Sequence, residues 1–580
     1  MRKRGFVFWF AFVIAGIFAL AVASLFVLIW SFRASVPGIP DRAIVSLDLA
    51  ASYPEDPLYA LGGPFFGVEG LTFRDLLFAI ERAKTDDRVE KLLLRVRGNT
   101  LGWARASELR DQILDFKSSG KPVVAFIEFS SNRDYLVASA ADEIFLHPRG
   151  MVELSGVRAE IMFLASSLDK LGIEPEFERV GRYKDAPDTF LRHSMSEATR
   201  EATGALVQTI HEHLVDAIAE GRSLDESSVK AVLEKGPLTP GEAMELGLVD
   251  GLRFLDEVES AEGTSALEKE SVRIADYRRA TTRTSAFGAD ARIAIIYGIG
   301  PIVPGGSGED ALFGRVMGAD TIASAFEKVR KDDSIDGVVF RIDSPGGSDV
   351  ASDVIWREAM LTRQEKPVIV SMGSVAASGG YWIATASDAI VAESTTITGS
   401  IGIYAGKFNL SGLYEKLGIG VDGVSSTESA DFFSDNRSFT ADERARLSRV
   451  LQDGYQAFLR RVADGRGMST EAVEAVAQGR VWSGEMALQL GLVDEIGGLE
   501  RALEIAKEKA GFDPGASVEL RIYPEKRNFL EALLESIYRA SAPLRLNLFD
   551  RTKLVESSPM LQLLARGVPL ALMPYQLEVN

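Results

Sequence analysis

Between Ser374 and Trp382 the chain reads SVAASGGYW, with Ser378 set between two alanines and a glycine pair. A second glycine-bearing turn, Asp343-Ser-Pro-Gly-Gly-Ser348, lies upstream, and each turn follows an apolar run. Glycine pairs let backbone N–H groups approach an oxygen with no side chain in the way, which is what stabilising an oxyanion demands. Either stretch alone is an ordinary turn. Together they point to acyl transfer, with backbone donors around a hydroxyl nucleophile at Ser378.

Such a hydroxyl needs a base. The histidines are His147, His193, His211 and His213, all in the first half of the chain. His211 and His213 sit two apart in a helical pattern, face different sides, and are expected to be solvated rather than to share a metal. A G-x-S-x-G elbow is absent because Ala376 takes the place of its first glycine. Lysine becomes the leading candidate, provided its pKa falls from about 10.4 to about 7, a shift worth roughly 4 to 5 kcal/mol that burial can supply.

The elements that must position these groups are written twice. KPVVAFIEFSSNRDYLVASAADEIFL opens at Lys121 and KPVIVSMGSVAASGGYWIATASDAIVA at Lys366. GEAMELGLVDGL from Gly241 returns as GEMALQLGLVDEIGGL from Gly484, LDKLGI from Leu168 as YEKLGI from Tyr414, and KLLLRVRGN from Lys91 as GVVFRIDSPGG from Gly337. An offset near 245 residues, kept in order, means tandem duplication of a domain of roughly 220 residues. Runs such as VVFRI and PVIVSM alternate with helical patterns such as ASDVIWREAMLTRQ, so the fold class is α/β with a mainly parallel sheet in each copy. The expected division is a repeat over 33–260, a polar linker over 261–290, a second repeat over 291–506 and an extension over 507–580.

The two copies differ where chemistry would sit. The second has no lysine between Leu417 and Ala506, whereas the first reads VGRYKDAPDTF there, with Lys184 between a strand and a helix start. At the position of Ser378 the first copy carries Asn132, with Tyr135 matching Tyr381. Each copy holds what the other lacks, as two halves contributing one member each to a single Ser/Lys dyad would.

The rest of the composition narrows the class. With 83 acidic against 64 basic residues and a formal charge of -19, the chain has no basic character for a nucleic-acid partner. It has no cysteine, hence neither disulfides nor a thiolate metal site, and no cofactor is expected. MRKR precedes an uncharged run from Gly5 to Phe32, longer than the roughly 20 residues that cross a bilayer. This run is expected to be a retained anchor over 5–32, with residues 1–4 cytoplasmic and the bulk outside the cytoplasm. LVESSPMLQLLARGVPLALMPYQL, from Leu554 to Leu577, is unusually apolar and is expected to pack on a neighbouring subunit rather than lie on a membrane.

GRYKDAPD around Lys184, DSPGG from Asp343, AASGGYWIATASD around Ser378 and TITGSIGI from Thr396 resemble the signal peptide peptidase A (protease IV) family in its long duplicated form. The resemblance runs from the anchor to about residue 505. It implies a Clp-protease/crotonase-like fold in both copies, Ser378 as nucleophile, Lys184 as general base and Ser400 as the serine that orients the lysine. Gly379 with Gly346 and Gly347 would form the oxyanion hole. It also implies a homotetramer on the outer face of the inner membrane, acting on cleaved signal peptides and other apolar peptides. A broader quality-control protease of the envelope is the alternative within the same chemistry. An acyl-CoA enzyme of the same architecture would need neither anchor nor split dyad, and a catalytically idle scaffold would have no reason to keep both Ser378 and Lys184.

Overall fold

Two parallel sheets form because each apolar strand is followed by a helix that must cross back over it before the next strand can pair. In the computed structural model, which describes residues 38–55, 71–260, 270–281, 289–310, 313–525 and 567–573 together with Gly16, Leu563 and 578–579, the first sheet has six strands. Their order is Gly251–Leu252, Glu143–Val152, Val123–Ser130, Val89–Arg97, Ala43–Asp48 and Glu270–Arg273, every neighbour parallel. In the second, Ile397–Gly399, Val368–Ala377, Gly337–Ser344, Ala291–Ile299 and Val518–Tyr523 are parallel, and Val481–Ser483 adds an antiparallel edge. Gly337–Ser344 and Val368–Ala377 are buried along nearly their whole length, as strands covered on both faces must be.

The duplication extends to single hydrogen bonds. Lys121 Nζ donates to the carbonyls of Ala83 and Asp86, and Lys366 Nζ to those of Val329 and Asp332. Arg222 pairs with Asp250 at 2.7 Å and Arg466 with Asp494 at 2.6 Å. Tyr135 and Tyr381 donate their hydroxyls to Leu248 and Leu492.

The segments expected as linker and extension both contain sheet strands. Glu270–Arg273 closes the first sheet beside Ala43–Asp48, and Ile274–Thr281 follows as a helix, anchored by buried Ile274 and Tyr277. Val518–Tyr523 closes the second sheet beside Ala291–Ile299. The repeated unit thus carries one edge strand beyond each expected boundary, too short to show as a periodic pattern. Among the described residues no helix is long and apolar enough to cross a membrane, and the span expected at 5–32 lies outside them apart from Gly16.

Among the contacts that join the copies, one is a strand pairing and another a buried ion cluster. Glu174–Val180 of the first runs antiparallel to Ile403–Asn409 of the second, inside a third sheet that also includes Gly346–Ser348 and Leu570–Leu572. The second of these is ionic. Arg341, on the strand leading into the DSPGG turn, lies fully buried with Nη2 2.7 Å from both Glu55 and Glu108 of the first copy. Glu108 also accepts the Leu499 N–H at 2.6 Å. Arg341→Met is expected to destabilise the protein by about 3–5 kcal/mol, because two carboxylates stay buried without their cation. Chemical denaturation reads this, and replacing Glu55 and Glu108 with leucine in the same chain should recover most of the loss.

Candidate active site

The strand Val368–Ala377 delivers Ser378 to the mouth of the short helix Gly379–Ala384. Turning there forces Ser378 to φ 55° and ψ -116°. Its N–H donates to Gly399 at 2.7 Å, and its carbonyl accepts from Trp382 at 2.8 Å. Among the described residues, Ser223, Ser378, Ser400 and Gln478 are the non-glycine residues with positive φ. Ser223 merely ends the helix Glu197–Arg222, whereas the other three lie around one point. A side chain held this way costs about 1–3 kcal/mol, and such strain concentrates at functional sites.

Lys184 reaches that point from the first copy. The cross-copy strand ends at Val180, and the chain turns so that Tyr183 N–H donates to Gln478 at 2.7 Å while Arg179 Nη1 donates to the Lys184 carbonyl at 3.1 Å. Gly479 presses against this turn: a Cβ there would fall 2.5 Å from Lys184 N. Lys184 Nζ then lies 2.7 Å from Ser378 Oγ and 3.0 Å from both the carbonyl and the hydroxyl oxygen of Ser400. All three side chains are fully buried.

Burial pushes the Lys184 amine well below its ordinary range, against an opposing pull from the Asp185 carboxylate. A neutral amine has two N–H groups and one lone pair. The two Ser400 oxygens can take the N–H groups, which turns the lone pair toward Ser378 and lets its hydroxyl donate.

The glycines gather beside the hydroxyl. Gly346 takes φ 96°, and a Cβ on it would sit 2.6 Å from Gly379 N, so no larger residue fits between the two turns. Ser344 Oγ donates to Gly300 at 2.8 Å and accepts the Gly346 N–H at 3.2 Å, fixing the DSPGG turn. Gly347 and Gly379 are buried next to each other, with Gly347 N 3.1 Å from where a Gly379 Cβ would be.

The six residues expected at the site, Ser378, Lys184, Ser400, Gly379, Gly346 and Gly347, therefore surround one buried point. Asn132 is instead a structural residue: its amide donates to Gly156 at 2.6 Å and accepts from Ser155 at 3.3 Å. His213 departs from expectation. It is half-buried, with Nε2 2.8 Å from Ser107 Oγ, and burial with the nearby Arg110 charge pushes it down to about 4. It is neutral at physiological pH. Sequence reasoning missed Gln478 and Gly479, which seat the Lys184 turn, and the C-terminal strand Leu570–Leu572, which pairs with Gly346–Ser348. A Gln-Gly loop carries no signal for such a role, and a three-residue strand in an apolar tail has no period to read. Among the described residues no group of three or more His, Asp or Glu side chains is placed to hold a metal ion.

Comparison with known proteins matches the model of peptidase family S49 twice, at residues 115–267 and 360–513. The chain is 34% identical over 459 residues to a chloroplastic serine protease SPPA of Arabidopsis thaliana, covering 78% of this chain and 68% of that one. It is 34% identical to Protease 4 of Haemophilus influenzae over 78% of this chain and 75% of the relative. Against Protease 4 of Salmonella typhi the identity is 32% over 86% and 82%.

The lysine environment makes a prediction about stability. Between the lowered pKa of the folded state and the ordinary lysine range the unfolded chain binds a proton on Lys184 that the folded chain excludes, so folding carries a penalty that fades as pH climbs toward that ordinary range. Lys184→Met is expected to raise the melting temperature near neutral pH, with the difference narrowing in alkaline buffer. A difference between wild type and variant that does not change as pH rises toward the ordinary lysine range would mean that burial does not lower the pKa of this amine.

Proposed function

The chain belongs to peptidase family S49 and is a serine protease, and on that premise we propose that it cleaves apolar peptides, cleaved signal peptides among them, through a Ser378/Lys184 dyad. The observation that carries this reading is the 2.7 Å approach of Lys184 Nζ to Ser378 Oγ, between two buried side chains from different copies. Neutral Lys184 takes the Ser378 proton as Oγ attacks the substrate carbonyl, and Ser400 holds the amine in line. Negative charge on the tetrahedral oxygen is met by backbone N–H groups of Gly379 and the Gly346-Gly347 turn. Lys184 then protonates the departing amine, forms the base again, and activates the water that releases the acyl group from Ser378.

The wider setting belongs to the same proposal. The first copy, with its edge strand Glu270–Arg273, and the second, with its edge strand Val518–Tyr523, are each a Clp-protease/crotonase-like domain. Residues 5–32 anchor the chain in the inner membrane with residues 1–4 cytoplasmic, and the two domains act outside the cytoplasm as a homotetramer. An anchored protease of this kind meets peptides left in the bilayer, whose apolar cores match the apolar run of the anchor. Support for the substrate class comes from the apolar side chains beside Ser378, where Leu206, Ala377 and Ile397 cluster around buried Met573.

Hydrolysis of a purified signal peptide by wild type, Ser378→Ala and Lys184→Ala, each checked for assembly, tests the dyad. Both variants should lose roughly 10³-fold or more in kcat/KM. Retained activity in assembled Lys184→Ala would give Ser378 another base and end the split-dyad reading. In wild type the acid limb of kcat/KM should rise with pH as Lys184 loses its proton, at a pH well below that of an ordinary lysine. A limb that rises only in the range of a free amine would contradict a buried base.

A further inference from the structure

The short strand Leu570–Leu572 lies between Gly346–Ser348 on one side and Ile403–Asn409 on the other, antiparallel to both. It bridges two strands of the second copy that do not otherwise pair. This is how an extended peptide is held when it completes a sheet from within a gap.

The register is set by three observations. Met573 N–H donates to the Pro345 carbonyl at 2.7 Å, the Asp349 N–H approaches the Pro569 carbonyl at 3.5 Å, and Gly347 faces Ala571 midway between these pairs. Hydrogen-bonded positions in an antiparallel ladder recur at every second residue, so Gly347 and Ala571 exchange hydrogen bonds and the Ala571 carbonyl accepts the Gly347 N–H. The same oxygen lies 2.1 Å from where a Cβ on Gly346 would be and 3.0 Å from one on Gly379. A peptide carbonyl thus occupies the seat between the two glycine turns.

The side chains are enclosed as well. Leu570 packs with Ala186, Val303, Val316 and Tyr404, which draws on both copies. Ala571 is completely buried, and Met573 sits with Leu206, Ala377 and Ile397. Where sequence reading expected this apolar tail to cover a neighbouring subunit, its described part fills a cleft of its own chain.

We infer that the gap between Gly346–Ser348 and Ile403–Asn409 is the slot for the substrate backbone, that it takes an extended apolar peptide with an alanine-sized residue at the carbonyl seat, and that residues 568–573 are its resident occupant. Substrate binds by displacing this segment. The inference rests on the reading of Ser378 as the nucleophile, since only then does a carbonyl in this seat matter to the reaction.

The test uses full-length protein carrying Ser378→Ala, so that binding is read without turnover, and a labelled peptide of the sequence VPLALM followed by fluorescence anisotropy. A second full-length chain adds Leu570→Asp and Met573→Asp, which expel the tail by burying charge. A slot closed most of the time shows an affinity reduced by the fraction of time it is open. The tail-expelled chain should therefore bind VPLALM at least about tenfold tighter, and the peptide VPLWLM should bind it about tenfold more weakly than VPLALM. Equal affinity in the two assembled chains would overturn the tail as occupant, and equal affinity of the two peptides would overturn the small-residue seat. A chain ending at Arg566 repeats the measurement with no charge introduced. Because anisotropy does not depend on turnover, failure of the hydrolysis experiment above would strike the dyad alone, while a working dyad with unchanged peptide binding would strike this inference alone.

Discussion

A lysine amine sealed from water among hydroxyl and carbonyl oxygens is the constraint around which the rest of the molecule is arranged. Lys184 Nζ has Ser378 and Ser400 as its partners, and all three side chains are buried. Desolvation favours the neutral form only while that enclosure is complete, so each wall of it matters. One wall is the turn after Val180, seated on Gln478 and Gly479; another is the Ser400 backbone, whose N–H is fixed to Arg480 at 2.7 Å. The strained dihedrals of Ser378, Ser400 and Gln478 are the cost of bringing three backbone segments to one point.

Because the amine and the hydroxyl come from different copies, the contact between copies has to be as exact as a core. The antiparallel pairing of Glu174–Val180 with Ile403–Asn409 sets the height at which Lys184 emerges, since a one-residue slip would turn every side chain of that strand to the opposite face. Arg341 adds a second fixed point. Its guanidinium ties the strand that carries the DSPGG turn to Glu55 and Glu108, so the glycines and the lysine are referenced to the same first copy. The ion cluster contributes alignment more than net stability, given what burying three charges costs. The first copy's own equivalent of the serine position is closed by Asn132, whose amide is consumed by Gly156 and Ser155.

Much of this was legible in the sequence because duplication supplies an internal comparison. Paired residues such as Lys121 and Lys366, or Tyr135 and Tyr381, stand out as common scaffold, and against that scaffold Ser378, Lys184 and the glycine turns stand out as differences. What could not be read was whatever depends on contacts between distant segments. Arg341 in VVFRI looks like the solvent side of a strand, yet it is buried by acceptors from the other copy. The strands Glu270–Arg273 and Leu570–Leu572 are too short for a period of two to register, and sheet pairing alone defines them. His213 sits in a helix whose polar pattern suggested water, and only packing against the helix Trp103–Lys117 gives its ring a partner in Ser107.

The sequence distance across the Lys184 and Ser378 contact, 194 residues, bears on when in the life of the chain it can exist. Synthesis is vectorial, and domains fold as they emerge. A nascent chain that has completed its first copy holds the amine of Lys184 but not yet the hydroxyl of Ser378. Only after the second copy has left the ribosome and docked does the amine lose its water. On the proposed dyad, splitting the pair between two successive copies means that neither copy alone holds both the amine and the hydroxyl, so the site is assembled only once both copies have folded and docked.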